Sequence, residues 1–222
     1  MPKYFHLTVP RPNLPLPDSL LKLATNLGLA AHPEGGYFKQ TDKSPFLMRN
    51  PYQTQEDLEV RKADTEKNES EFYTEVDVNT SRSFSTLIFY LLTPQHPMGR
   101  FHLNKSRIIH ILQKGSGTYV TIDPKTQKVE TFKVGFGPNE RLQWVVEGGV
   151  YKASFTNNEQ EGLLISEVVV PGWEFADHKF MENEDELRQW VGNDEDKIQE
   201  LKWLLGGQFF SQRQRLEYPE EF

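Results

Sequence analysis

A histidine set among cations is the pattern in this chain that could carry chemistry. His102 lies in Gly99-Arg100-Phe101-His102-Leu103-Asn104-Lys105-Ser106-Arg107-Ile108-Ile109-His110-Ile111-Leu112, and Lys152 lies in Glu147-Gly148-Gly149-Val150-Tyr151-Lys152-Ala153-Ser154. An imidazole can take a proton from the carbon beside a carbonyl, and a neighbouring cation stabilises the enolate that forms. His102 is therefore a candidate catalytic base, with Lys152 as the catalytic cation and Arg107 as an anion-binding one. In an extended chain, residues two apart share a face. Arg100 and Asn104 then accompany His102, and Ser154 accompanies Lys152. Arg107 shares its face with Ile109 and Ile111 while His110 takes the other, so Arg107 and His110 do not both line a pocket. A buried Arg or Lys needs a counter-charge. Glu34, Glu147 or Glu167 could supply it, and so could a ligand carboxylate or phosphate. Alternatively, His102 hydrogen-bonds inside the fold and does no chemistry.

Other chemistry-bearing residues carry weaker signals. Tyr37, Tyr90, Trp144 and Trp173 are candidate aromatic walls for a ligand, although aromatics in strands usually serve the core. His110, between Ile109 and Ile111, reads as structural. Asp177 and His178 lie past the last strand-like run and read as surface or dimer-contact residues. His6, His32 and His96 stand beside prolines or turns and show no role. Gly115-Ser116-Gly117 lies between two strands with no helix after it, so it lacks the amide cradle and dipole of a phosphate loop and reads as a hairpin turn.

The composition narrows the function classes. The chain has 222 residues, a formal net charge of −7 and no cysteine, with 36% hydrophobic and 12% aromatic residues. Such a length buries a sizeable core without disulfides. Thiolate chemistry is excluded, and the absence of cysteine fits the cytoplasm. No basic stripe points to nucleic acid. No run of about 18 apolar residues points to a membrane span. The proline-rich start lacks the apolar stretch of a signal peptide.

Elements must bring these residues together. Residues 1–17 read as an extended arm. Asp18 or Ser19 caps a helix through Leu20, Leu21, Leu23, Ala24 and Leu27, which Gly28 stops. Residues 53–80 form an acidic, apolar-poor loop insertion. From Phe84 to Pro171 short strands alternate with turn signals, the pattern of a sandwich or barrel. A helix starting at Asn183 or Glu184 presents Leu187, Trp190 and Val191, and Gly192-Asn193 ends it. A second helix carries Ile198, Leu201, Trp203 and Leu204. With the tail, residues 182–222 make a helical appendix to a main domain spanning 18–181.

Four stretches carry a resemblance. They are His32-Pro33-Glu34-Gly35-Gly36-Tyr37-Phe38, Ser85-Thr86-Leu87-Ile88-Phe89-Tyr90-Leu91-Leu92, Arg107-Ile108-Ile109-His110 and Val169-Val170-Pro171-Gly172-Trp173-Glu174-Phe175. Residues from about 20 to 180 resemble a cupin-superfamily family of unknown function with an RmlC-like jelly roll. The resemblance implies an all-β, double-stranded β-helix barrel, a small-molecule pocket and a homodimer. It supplies no reaction. The usual cupin metal site takes two histidines one residue apart, then a glutamate, then a histidine from a later strand. His102 matches the first position, Asn104 replaces the second, Arg107 or Ile108 falls at the glutamate, and Lys152 stands where the last histidine belongs. One ligand of four does not hold a transition metal. The expectation is therefore a barrel without metal or other cofactor, built around positive charge.

Three functions follow. The first is a metal-independent isomerase or epimerase acting on an anionic, sugar-like or carbonyl substrate, by analogy with sugar-nucleotide epimerases of the same fold. The second is a non-catalytic module for a small anionic metabolite. The third is a metal-dependent oxygenase or hydrolase, which Asn104 and Lys152 disfavour. The pocket residues expected are His102 and Lys152 for catalysis, with Arg107, Asn104, Glu34, Tyr37, Tyr90, Trp144, Ser154 and Glu167 around the ligand.

Overall fold

Period-two alternation between Thr86 and Val170 builds two sheets that enclose a common interior. The computed structural model describes residues 16–32, 34–53 and 80–206. The expected arm, most of the acidic loop and the tail lie outside them. The strands are β1 (Ala30–Ala31), β2 (Tyr37–Lys43), β3 (Leu47–Arg49), β4 (Ser81–Ser83), β5 (Thr86–Leu92), β6 (Met98–Asn104) and β7 (Arg107–Gly115). They continue with β8 (Gly117–Asp123), β9 (Lys128–Val134), β10 (Gln143–Val146), β11 (Tyr151–Phe155), β12 (Leu163–Val170) and β13 (His178–Phe180). One sheet runs β1-β2-β5-β12-β7-β10, the other β13-β6-β11-β8-β9, and β3-β4 is a separate ribbon. Neighbours far apart in sequence lie side by side in both sheets, which is the jelly-roll arrangement of a cupin barrel.

Each face of a strand has a distinct destination. Tyr90, Leu92, Leu112, Trp144, Leu163 and Ile165 of the first sheet meet Tyr119, Val134 and Phe132 of the second in the barrel interior. The outer face of the second sheet buries Phe101, Val120, Ile122, Tyr151 and Phe155 beneath the C-terminal helices α2 (Glu184–Trp190) and α3 (Glu195–Leu201). The outer face of the first sheet takes Leu20 of α1 (Asp18–Leu27) against Leu91 and Leu164. Both faces of most strands are therefore covered, as the near-continuous burial of β11 shows.

Local chemistry sets the ends of these elements. Helix α1 begins without a side-chain cap: Pro17 holds the cap position, and Asp18 is the first helical residue. There its charge favours the helix dipole rather than capping an amide. Gly28 ends the helix in the left-handed region, as expected. Asn183 caps α2 by accepting from the Glu186 amide, and Gly192 and Asn193 both adopt positive φ beyond its end. Gly115, with φ of +75°, lets β7 approach the turn at Gly162, since a Cβ there would lie 2.0 Å from the Gly162 carbonyl oxygen. No described helix is long and apolar enough to cross a membrane.

Two irregularities position the polar interior. The β6–β11 pairing slips between Lys152 and Ser154, where His102 and Gly99 are the opposite partners. The bulge lets Met98 and Phe101 both face the helices, while Gly99 and His102 turn inward. A Cβ on Gly99 would meet the Tyr90 hydroxyl at 2.5 Å, so glycine makes room for that side chain against β6.

Candidate functional site

Two polar clusters occupy the barrel. The first joins Lys152 of β11 to Glu167 of β12 and His110 of β7. Lys152 Nζ donates to Glu167 Oε1 at 2.9 Å and Oε2 at 3.0 Å, and it lies 2.9 Å from His110 Nε2. An ammonium only donates, so His110 Nε2 accepts and its proton sits on Nδ1. Burial would raise the Glu167 carboxyl, but Lys152 and His110 outweigh it and hold the group well below the usual carboxylate range. His110 is lowered by burial and then by Lys152. Its ring stacks on Trp144 at 5.0 Å and meets the edge of Tyr119 at 5.4 Å. Tyr90 and Tyr119 complete the wall. Burial pushes both phenols well up, and both share a hydrogen bond with Ser154.

The second cluster gathers Glu34, His102 and His178. Glu34 Oε1 lies 3.2 Å from His102 Nε2 and 3.1 Å from His178 Nε2. His102 Nδ1 lies 2.8 Å from the Arg100 carbonyl oxygen, so it carries the proton and donates. Nε2 then holds a bare lone pair, and this buried atom has no hydrogen-bond partner among the described residues although the carboxylate is close. The approach is out of line for a hydrogen bond. Burial drives His102 down to about 3, with Glu34 pulling the other way. Burial would raise Glu34, yet the imidazoles of His102, His32 and His178 keep it well below its ordinary value. His32 belongs to this shell: its Nδ1 accepts from the Glu34 amide at 3.2 Å.

The backbone explains how residues so distant in sequence converge. Glu34 sits in the β1–β2 turn, whose carbonyl accepts from the Arg100 amide of β6 at 2.8 Å. His178 opens β13, which pairs with β6 so that His178 faces Asn104 and Phe180 faces His102. The preceding Asp177 forms a buried two-point ion pair with Arg82, one contact being 2.9 Å from Nη2 to Oδ1. Arg82 thus anchors the strand that delivers His178.

Several expectations are corrected. Arg107 does not line the barrel. Its side chain is 52% exposed and pairs with Glu147 at 3.2 Å, because His110, Ile108 and Leu112 take the inner face of β7. Tyr37 points away from the interior towards His96 at 5.5 Å, since Phe38 faces inward. Asn104 is buried but committed: its Oδ1 accepts from Trp173 Nε1 at 2.9 Å. Lys152 is inside, yet its ammonium is already held by both Glu167 carboxylate oxygens and by His110 Nε2. The barrel is therefore not built around free positive charge. His102, Glu34, Tyr90, Trp144, Ser154 and Glu167 do lie inside, with Tyr90 donating to the Gly35 carbonyl at 2.8 Å.

Sequence spacing does not mark His178 or His32 as members of the Glu34–His102 cluster. His110 faces inward and is held structurally, bonded to Lys152. Asp177 and His178, read as surface or dimer contacts, are respectively buried and bonded to Glu34. No spacing rule flagged His178, because its link to His102 exists only through the β13–β6 pairing.

Comparison with known proteins identifies relatives. A family model described as "Cupin superfamily (DUF985)" matches residues 22–181. The chain is 49% identical over 193 residues to the uncharacterized protein YML079W of Saccharomyces cerevisiae, covering 85% of this chain and 87% of the yeast one. A hypothetical protein from Leishmania major has a similar structure, with a TM-score of 0.61 at 21% identity, over 83% of this chain and 98% of that one. Protein SO0799 from Shewanella oneidensis gives a TM-score of 0.56 at 21% identity, over 82% of this chain and 95% of that one. At such identity these two structures support the fold alone.

Proposed function

The chain belongs to the DUF985 family of the cupin superfamily, and from that premise we propose that its barrel binds a small oxygen-bearing metabolite. The ligand would lie between the aromatic wall and the Glu34–His102–His178 cluster. The observation that carries this reading is the indole N–H of Trp144, which is buried with the interior core and has no acceptor among the described residues. An unpaired buried donor costs about 1–3 kcal/mol, and a ligand oxygen would recover it. Apolar walls with a few convergent polar groups are the usual make-up of a small-molecule site. Tyr119, Phe132 and Trp144 pack on one another and form an aromatic wall beside this donor. The charges do not call for an anion: Glu167 offsets Lys152, and Arg107 lies outside. A neutral or weakly anionic sugar-like or carbonyl compound fits this balance.

The test is a thermal-shift screen of sugars, keto acids and hydroxy acids on metal-stripped protein, run beside Trp144→Phe. A compound class should raise Tm in the wild type, and the variant should lose most of that shift. A panel without shifts, or shifts that Trp144→Phe leaves intact, rejects the reading.

A second reading, isomerisation with His102 as base, has one observation in its favour. The Nδ1 proton is fixed by the Arg100 carbonyl, so Nε2 is free to accept, and Lys152 is the strand neighbour of His102. Against it stands basicity. A base works best with a pKa near the working pH, whereas burial takes His102 to about 3. Binding is therefore the reading carried forward. Solvent-deuterium exchange into a bound candidate that disappears in His102→Ala would reverse that order.

A further inference from the structure

We infer that Glu34, His102 and His178 form a binding site for one divalent transition metal ion of the zinc, cobalt, iron(II) or manganese class. Their donor atoms all lie within 4.8 Å of one another. The two nitrogens are 3.2 and 3.1 Å from the same carboxylate oxygen. Ligands about 2.0–2.2 Å from a common ion stand about 3–3.5 Å apart at tetrahedral or octahedral angles. Two imidazoles and one carboxylate suit borderline ions, not calcium or magnesium, which prefer oxygen ligands, nor copper(I), which prefers sulfur.

The independent sign is the buried lone pair of His102. An Nε2–H of His178 donating to Glu34 accounts for the 3.1 Å contact between them. It leaves His102 Nε2 facing a carboxylate with no hydrogen between the two. Two lone pairs at that distance repel unless a cation lies between them. The Nδ1–H bond to the Arg100 carbonyl also matches how metal-bound histidines are oriented from behind. Three protein ligands leave at least one position open for water or a ligand oxygen.

This is not the cupin ligand pattern. Only His102 is common to both. Asn104 is held by Trp173 and Lys152 by Glu167, while Glu34 and His178 enter from a turn and from β13. The expectation of a metal-free barrel counted ligands only at the pattern positions. The inference goes beyond the proposed ligand binding and does not depend on it, because that screen uses metal-stripped protein.

The experiment is a cobalt(II) titration of the full-length, chelator-stripped protein, followed by visible absorption and calorimetry. The expected result is one ion per chain, with a ligand-field band that zinc displaces. Glu34→Gln, His178→Gln and His102→Gln should each weaken binding at least about 100-fold, the upper end of what mere second-shell changes cost. Circular dichroism and Tm establish that each variant is folded. His178→Gln, at the start of the short edge strand β13, is the variant least able to unfold the barrel. No stoichiometric uptake by the folded wild type would overturn the proposal, as would uptake that folded His178→Gln leaves unchanged.

Discussion

Lys152 and Glu167 reach towards each other from opposite sheets of the barrel and close a two-point ion pair, with Nζ 2.9 and 3.0 Å from the two carboxylate oxygens. His110 Nε2 accepts from the same ammonium at 2.9 Å. A pair so fully satisfied is a structural tie across the interior, and the chemistry has to be sought elsewhere.

Breaking that tie on one side should be costly. Lys152→Met or Glu167→Leu leaves the other charge buried without a partner, and each should destabilise the fold by about 3–5 kcal/mol in denaturant unfolding. The double variant should recover most of the loss, because an apolar pair of similar volume replaces the ion pair. A double variant as unstable as the sum of the singles would mean that the tie is not an isolated pair.

Acid should weaken the fold, and the sign follows from burial. Glu167 titrates far lower in the fold than in the unfolded chain. Its stabilisation is therefore present above the unfolded value near 4.5 and is lost as pH falls below it. His32, His96, His102 and His110 are also lowered, by burial. The unfolded state then takes up their protons first, so stability begins to fall below about 6.5. Tm should drop steadily from pH 7 to pH 4, and His110→Gln should flatten part of the drop. A Tm independent of pH over this range would contradict the assigned burial.

Two arginines should behave oppositely. Arg82→Ala removes the partner of the fully buried Asp177 and should cost about 3–5 kcal/mol. Arg107→Ala, on the outer face beside an exposed Glu147, should change stability by no more than about 0.5 kcal/mol. Equal effects of the two in denaturant unfolding would mean that one of these placements is wrong.

The strands of the barrel were legible because period-two alternation and turn residues such as Gly115, Gly148 and Gly149 are local signals. The choice of face on β7 was not. Ile108 and Leu112 are apolar on one side, Ile109 and Ile111 on the other, so alternation separates His110 from Arg107 without saying which one enters. The C-terminal helices were visible from the spacing of Leu187, Val191, Ile198 and Leu201, all buried. The Glu34–His102–His178 cluster was half visible. His102 and Glu34 were singled out, Glu34 as a partner for a cation. His178 stayed hidden because β13 is three residues long and finds its place only by pairing with β6.

The central claim is that Glu34, His102 and His178, and not the cupin pattern positions at Asn104 and Lys152, form a metal-binding site in the barrel. Anomalous diffraction at the cobalt or zinc edge, from crystals grown with one equivalent of the ion, tests it most directly. The account predicts one strong peak within bonding distance of His102 Nε2, His178 Nε2 and a Glu34 oxygen. No peak there at full equivalence, or a peak elsewhere with this cluster empty, would contradict it.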